Sequence, residues 1–480
     1  MASTLLSLWL ILPLNSTLFS QEPCLTHSFY GNYKLQDSTV ALFQASTPDC
    51  VEYSRSYLSQ EPNVLLEIHR NASLVWLEKE HVDPSLLQQE SFMSDDFYRA
   101  LTRLVGEDQP LYEQEDQHTF NAKTDNGFPY TLFSSNDATM LALPRHAALQ
   151  VDTILPRFVK STLIPDVPST YREVSNDDLK VVRDVLGTLR FNPDIASVVN
   201  NISIPQIQQD IRFLTGEDGK SGIVSRHSFS SGARTAAAWI KARIEETGAT
   251  CRLSTFLTGF APNVICRYSA IKKTDDTVII SGHYDSRGSF GSVRAPGADD
   301  DGSGTTGVLS IARTIGRKRL RFHKNVELVA FAGEEQGLYG SRAYARELRA
   351  QNASIVMMIQ ADMTAYRAAQ EPLQLGLPER IGTPEVTQLV ANVSAFYSPE
   401  LTVGYSGACC SDHQSFIEQG FPATQVFERA GPIVDPMYHN SGDLSEREGY
   451  DINQLYAIAK VQFAALLHVA GFEFGKEIDE

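Results

Sequence analysis

Four apolar runs constrain this chain most: "TVIISG" (277–282), "VELVAFAG" (326–333), "IVMMIQA" (355–361) and "PATQVFE" (422–428). Each is short and bounded by glycine or polar residues, as buried strands are. Helical patterns accompany them. "SSGARTAAAWIKARIEETG" sets Ala233, Ala237, Ile240 and Ile244 on one face, charges opposite, and Gly248 at its end. "GSGTTGVLSIARTIG" is a second helix, with Asp301 or Ser303 as its cap. Strands alternating with helices predict an α/β domain, its sheet mostly parallel and covered on both faces. We place it at residues 196–480. In such sheets ligands gather outside the carboxyl ends of the strands.

The residues at those ends are of one chemical kind. The first run leads into His283 and Asp285, and the next loop, "APGADDDGSG", carries Asp299, Asp300 and Asp301. The second run leads into Glu334 and Glu335, the third into Asp362, and the fourth, through "RAGPIVDPMY", into His439, Asn440 and Asp443. Singly these read as a turn, a solvated acidic loop, a salt-bridged glutamate or a helix cap. Together they bring imidazole and carboxylate from five segments to one sheet edge, with no evident cluster of Lys or Arg beside them. Buried carboxylates need a compensating charge, and cations supply it. Two imidazoles with three or more carboxylates and no thiolate suit zinc or a similar divalent metal. Two ions roughly 3.5–4 Å apart can share one bridging carboxylate and activate a water between them. Neighbouring strand-end side chains point in different directions, so one of Glu334 and Glu335 can bind metal while the other moves the proton.

The formal charge of −17 and the pI near 5.1 exclude nucleic acid and an anionic membrane surface as natural partners. The first twenty residues hold an apolar block, Leu5 to Leu14, too short to span a bilayer and suited to a secretory signal cleaved near Ser20. No later apolar run is long enough to span, so a stable membrane association is not expected. Sequons at Asn71, Asn201, Asn352 and Asn392 and an even count of six cysteines agree with export as a glycoprotein. Proximity favours Cys24 with Cys50 and Cys251 with Cys266, leaving Cys409 and Cys410 as a vicinal bridge or two thiols. Residues 21–195 form an N-terminal pro- or accessory region of uncertain α+β fold. Within it "NVLLEIHR" and "SLVWLE" read as strands and 177–191 as a helix.

"SGHYDS", "APGADDDGSG", "FAGEEQGLYGS", "QADMTAY", "CSDHQSF" and "MYHNSGD" occur in one order. In them the last 280 or so residues resemble the secreted co-catalytic di-zinc aminopeptidases of the bacterial leucyl aminopeptidase type, relatives of glutamate carboxypeptidase and glutaminyl cyclase. The resemblance implies a zinc-exopeptidase-like three-layer sandwich with a mixed, mostly parallel sheet. It implies two zinc ions per chain: His283 and Asp362 hold one, Glu335 and His439 the other, and Asp299 bridges them, with a cis bond to Asp300. It makes Glu334 the general base and acid and sets Asp285 behind His283. The implied substrates are peptides with a free N-terminus. A carboxypeptidase of the same architecture, with Arg287, Arg294 or Arg429 for a terminal carboxylate, is the alternative. A one-zinc cyclase and a non-catalytic relative fit the full ligand set less well. The family often has a Cys-Gly-Tyr-Ala-Cys run before "SDH"; here "YSGACC" sets Ser406 in place of the first cysteine and Ala408 in place of the oxyanion tyrosine, with Tyr405 beside them.

Overall fold

The computed structural model describes residues 8–13, 23–36, 38–45, 47–50, 52, 72–87, 94–106, 129–408 and 410–475. The chain divides into two compact units, residues 1–80 with 89–171, and residues 81–88 with 172–480.

In the first unit, β1 (Leu8–Pro13), β2 (Phe29–Leu35) and β3 (Ser38–Ala45) pair antiparallel in the order β1-β3-β2. A second antiparallel sheet holds β4 (Ser73–Lys79), β5 (Tyr130–Ser134), β6 (Ala138–Leu143) and β7 (Val159–Leu163) in the order β5-β6-β4-β7. Aromatic packing fills the core: the Trp76 ring stacks on Phe133 at 5.5 Å and meets Tyr33 at 5.2 Å. "SLVWLE" is β4, while "NVLLEIHR" lies outside the described residues. The block read as a leader is, over Leu8–Pro13, the outer strand of its sheet, paired with β3. Cys24 and Cys50 are bonded to each other.

The second unit is built on one six-stranded sheet. Its members are β8 (Thr250–Ser254), β9 (Asn263–Tyr268), β10 (Asp276–His283), β12 (Asn325–Phe331), β13 (Ser354–Ala361) and β16 (Ala423–Val426), in the order β16-β13-β10-β12-β9-β8. The first four in that order run parallel, whereas β9 and β8 are antiparallel and joined by the Cys251–Cys266 disulfide. Short pairs of β11 (Leu320–Phe322) with β17 (Phe472–Phe474), and of β14 (Gln374–Pro378) with β15 (Thr402–Ser406), lie apart from this sheet.

Alternate residues of the central strands face opposite ways, and both faces are covered. Val278, Ile280, Leu328 and Ile359 join a core with Val308, Ile311, Ile458 and Val461 from the helices Gly302–Lys318 and Ile452–Ala470. Ile279, Val329 and Met358 join another with Tyr344, Leu348 and Phe416 from the helices Tyr339–Ala350 and His413–Ile417. Double coverage is why these strands read as unbroken apolar runs. Each buried Ile or Val contributes about 1.5–3 kcal/mol of transfer energy. The helix Gly302–Lys318 links β10 to β12 over one face, and Tyr339–Ala350 links β12 to β13 over the other. β10 therefore stands at the switch point of the sheet, the place outside whose carboxyl end such sheets bind their ligands. The helices expected at 230–248 and 177–191 are present as Ser231–Glu245 and Lys180–Thr188.

Candidate metal centre

His283 is the last residue of β10, Asp362 follows the end of β13, and Glu334 and Glu335 stand just past β12. Since these strands are parallel, their ends share one edge. The helix after β10 is tied to that edge by its own cap. The Asp301 carboxylate accepts from Gly304 N–H at 2.8 Å, closing the first helical turn, and also from His283 N–H at 3.0 Å and Met363 N–H at 3.2 Å. One buried side chain thus sets three of the converging segments. Gly304 is required here, because a Cβ would lie 2.5 Å from the Ala361 carbonyl and 2.5 Å from Asp301 Oδ1.

Asp300 stands between the two imidazoles. Its Oδ1 is 3.3 Å from His283 Nε2, and its Oδ2 is 3.3 Å from His439 Nε2. Asp362 Oδ1 lies 3.7 Å from His283 Nε2, and Glu335 Oε2 lies 3.1 Å from His439 Nε2. Two ligand-type groups result, His283–Asp300–Asp362 and Asp300–Glu335–His439, each with its donor atoms within 4.8 Å of one another. Burial works to raise the Asp300 carboxyl, but the two imidazoles that face its oxygens outweigh it and hold it well below the usual range. His439 is pushed up to about 9 against the effect of burial, chiefly by the Glu335 carboxylate. His283 Nε2 and Glu335 Oε1 are buried and make no hydrogen bond. Orphaned polar atoms of this kind, beside a carboxylate with an imidazole at each oxygen, fit a pair of cations.

The aspartate that stands between the two imidazoles is thus Asp300, one residue after the Asp299 expected to bridge. Asp299 is turned away. Its Oδ1 accepts Ala365 N–H at 2.8 Å, and its carboxylate meets that of Glu428. Burial, together with the negative charge of Asp435 and Asp443, raises Asp299 well above the carboxylate range, so this pair keeps a proton. The cis peptide bond is likewise one place on, between Asp300 and Asp301.

The surroundings also differ from expectation in holding arginines. Arg226 is fully buried and donates to the carbonyls of Tyr284 (2.7 Å), Leu214 (3.0 Å), Gly297 (2.7 Å) and Pro296. It braces the acidic loop and places positive charge near Asp443, Asp301, Asp285 and Asp300. Arg447 donates to Asp443 at 2.9 Å and to Asp435 at 2.8 Å. Asp443 in turn accepts the N–H groups of Asp299 (3.0 Å) and Asp300 (3.1 Å). Arg287 Nη1 is 3.1 Å from His439 Nδ1. Part of the charge compensation is therefore built into the chain. Arg226 lies far from the motifs in sequence, which is why motif reading missed it. Arg447 follows "MYHNSGD" by four residues and had a spacing signal.

Asp285 lies 3.6 Å from His283 Nδ1, and its two oxygens face the N–H groups of Glu334 and Glu335, each at 3.3 Å. It also accepts from Ser228 Oγ at 3.1 Å. Glu334 and Glu335 are 3% and 4% exposed, so neither has the solvent escape that a strand-end glutamate usually takes. Ser406, in the place of the family's cysteine, donates to the Gly431 carbonyl at 2.6 Å, Ala408 is buried, and Tyr405 is 64% exposed. The pairing of Cys409 lies outside the described residues.

Residues 263–464 match Peptidase family M28. Leucine aminopeptidase 1 of Metarhizium robertsii is 31% identical over 194 residues, 37% of this chain and 48% of that protein. Leucine aminopeptidase 1 of Pyrenophora tritici-repentis is 30% identical over 215 residues, 42% of this chain and 54% of that protein. The chain spans about half the length of these curated relatives. In fold it is similar to LapB from Legionella pneumophila, with a TM-score of 0.57 and 18% identity over 83% of this chain and 99% of that one. The LapA aminopeptidase of the same organism gives 0.55 and 18% over 72% and 94%.

Proposed function

With residues 263–464 matching Peptidase family M28, we propose that this chain is a secreted metalloaminopeptidase that holds two zinc ions and releases the first residue of peptides with a free N-terminus. The observation that carries this reading is the Asp300 carboxylate, whose two oxygens each lie 3.3 Å from a different imidazole. In the proposed assignment His283, Asp300 and Asp362 hold one ion, and Asp300, Glu335 and His439 hold the other. Bound there, zinc supplies Lewis acidity, polarising a peptide carbonyl and lowering the pKa of water.

The remaining work falls to the chain itself. Asp285 orients the His283 ring and, through two backbone N–H groups, sets Glu334 and Glu335 together. Glu334 takes the proton of the attacking water and returns it to the leaving amine. Its burial keeps bulk water from screening that transfer. The names of the fungal relatives, leucine aminopeptidases, support an apolar first residue as substrate. Export is supported by the Cys24–Cys50 and Cys251–Cys266 disulfides and the apolar leader. No helix of the described residues is long and apolar enough to cross a membrane.

Elemental analysis of the purified protein, with hydrolysis of leucine anilide and its N-acetyl derivative, tests the proposal. The expected result is about two zinc ions per chain and cleavage of the free amine alone. Near-zero zinc, or equal cleavage of the acetylated substrate, overturns it.

A further inference from the structure

Residues 81–88 cluster with the peptidase unit, although the sequence on both sides of them, up to Glu80 and from Gln89, belongs to the other unit. They also precede the family match by far. Within the peptidase unit the segment meets the loop that leads from β16 to His439. Asp83 N–H donates to the Ile433 carbonyl at 2.8 Å, and Ile433 N–H donates to the His81 carbonyl at 2.9 Å, making a parallel bridge between Val82 and Ile433. Val82 and Ile433 are buried by this pairing, at 8% and 3% exposed. The His81 ring lies against Gly407, where a Cβ would come 3.1 Å from Nε2.

The loop from Phe427 to Tyr438 contains no helix or strand, and its ends are held by other means. Phe427 exchanges backbone bonds with Gly376 at 2.7 and 3.0 Å, and Arg429 pairs with Glu371 at 2.8 Å. At the far end Arg447 grips Asp435, and the Tyr438 ring stacks on His439 at 3.8 Å. Ile433 sits between these anchors, braced by the segment that comes from outside the family match. His439 itself has φ 51°, a left-handed backbone that its neighbours must hold. A displacement of about 1 Å at a reacting group costs on the order of 100-fold in rate.

We propose that His81–Asp83 form a positioning strap for the His439 loop, acting through the Asp83 N–H, so that the region preceding the family match is needed for full activity. The kinetic part of this rests on the aminopeptidase reading above. Asp83 has φ −61° and ψ 135°, a conformation that proline adopts unstrained. Asp83→Pro therefore removes the N–H donor and leaves the path of the chain unchanged. Asp83→Ala keeps the N–H and removes only the carboxylate, which bonds Ser85, so the two variants are compared directly. We expect kcat/KM on leucine anilide to be roughly 3–10-fold lower for the proline variant than for the alanine variant, the worth of one net hydrogen bond. Amide hydrogen exchange across residues 429–438 should be faster in the proline variant by a similar factor.

Equal kinetics and equal exchange in the two variants overturn the strap, as does a loss of melting temperature without either change. A native protein that cleaves no anilide refutes the aminopeptidase reading, and the exchange comparison still decides the strap. If the proline variant does not fold, Val82→Ala, which thins the contact with Ile433, carries the same two readouts.

Discussion

Asp299→Asn and Asp300→Asn differ by one position and separate two accounts of the centre. The Asp300 carboxylate faces His283 with one oxygen and His439 with the other. An asparagine there offers one oxygen and one N–H₂ group, which has no free lone pair to give to a cation, so both ligand groups lose a shared member. We expect kcat/KM to fall at least about 10³-fold, some 4 kcal/mol at 1.36 kcal/mol per tenfold, and zinc content to fall with it. The same change at Asp299 is mild. Its Oδ1 keeps accepting Ala365 N–H, and the new amide donates to Glu428 where the carboxylate pair holds a proton now. A loss of less than about fivefold, near 1 kcal/mol, follows. The assay is leucine anilide turnover with elemental analysis of each variant. An inactive, zinc-depleted Asp299→Asn beside an active Asp300→Asn would refute the reasoning.

Glu334→Gln should lower kcat by about 10²–10⁴-fold with zinc content unchanged; turnover at the native rate would remove the proton-transfer role. His468 tests the stability of the fold away from the centre. Burial lowers its pKa to about 4, and Tyr397 Oη lies 2.9 Å from its Nε2. The folded ring is neutral while the unfolded one protonates near 6.5, so stability is full above that pH and is lost as pH falls from 6.5 toward about 4. The loss is at most about 2 kcal/mol once the partial exposure of the ring is allowed for. His468→Gln should flatten this part of the melting temperature against pH, and an unchanged slope would count against it. Among the described residues β1 is an outer strand that pairs with β3 alone, so its removal breaks no other strand pair there. N-terminal sequencing of exported protein should begin near Gln21, and a start before Leu8 would refute cleavage there.

Much of the site is legible in the order of residues because a strand's direction and the residue that follows it are local properties. "TVIISG" before His283, "VELVAFA" before the paired glutamates and "IVMMIQA" before Asp362 each announce a strand and the side chain at its end. Parallel packing then puts those ends on one edge. Two proximal cysteine pairs, both observed, are equally local.

Which of three successive aspartates faces both imidazoles is not local. Asp299, Asp300 and Asp301 are the same residue type on one loop, and partners brought in from elsewhere decide their directions. Asp443 takes the N–H groups of the first two, Ala365 takes the side chain of the first, and Gly304, His283 and Met363 take that of the third. The buried guanidinium of Arg226 and the bridge between Val82 and Ile433 join residues with no shared period or motif. Periodicity carries backbone conformation and the face that each residue presents. The direction of a carboxylate depends on hydrogen bonds that exist only after distant segments have packed, so it was left to the tertiary structure.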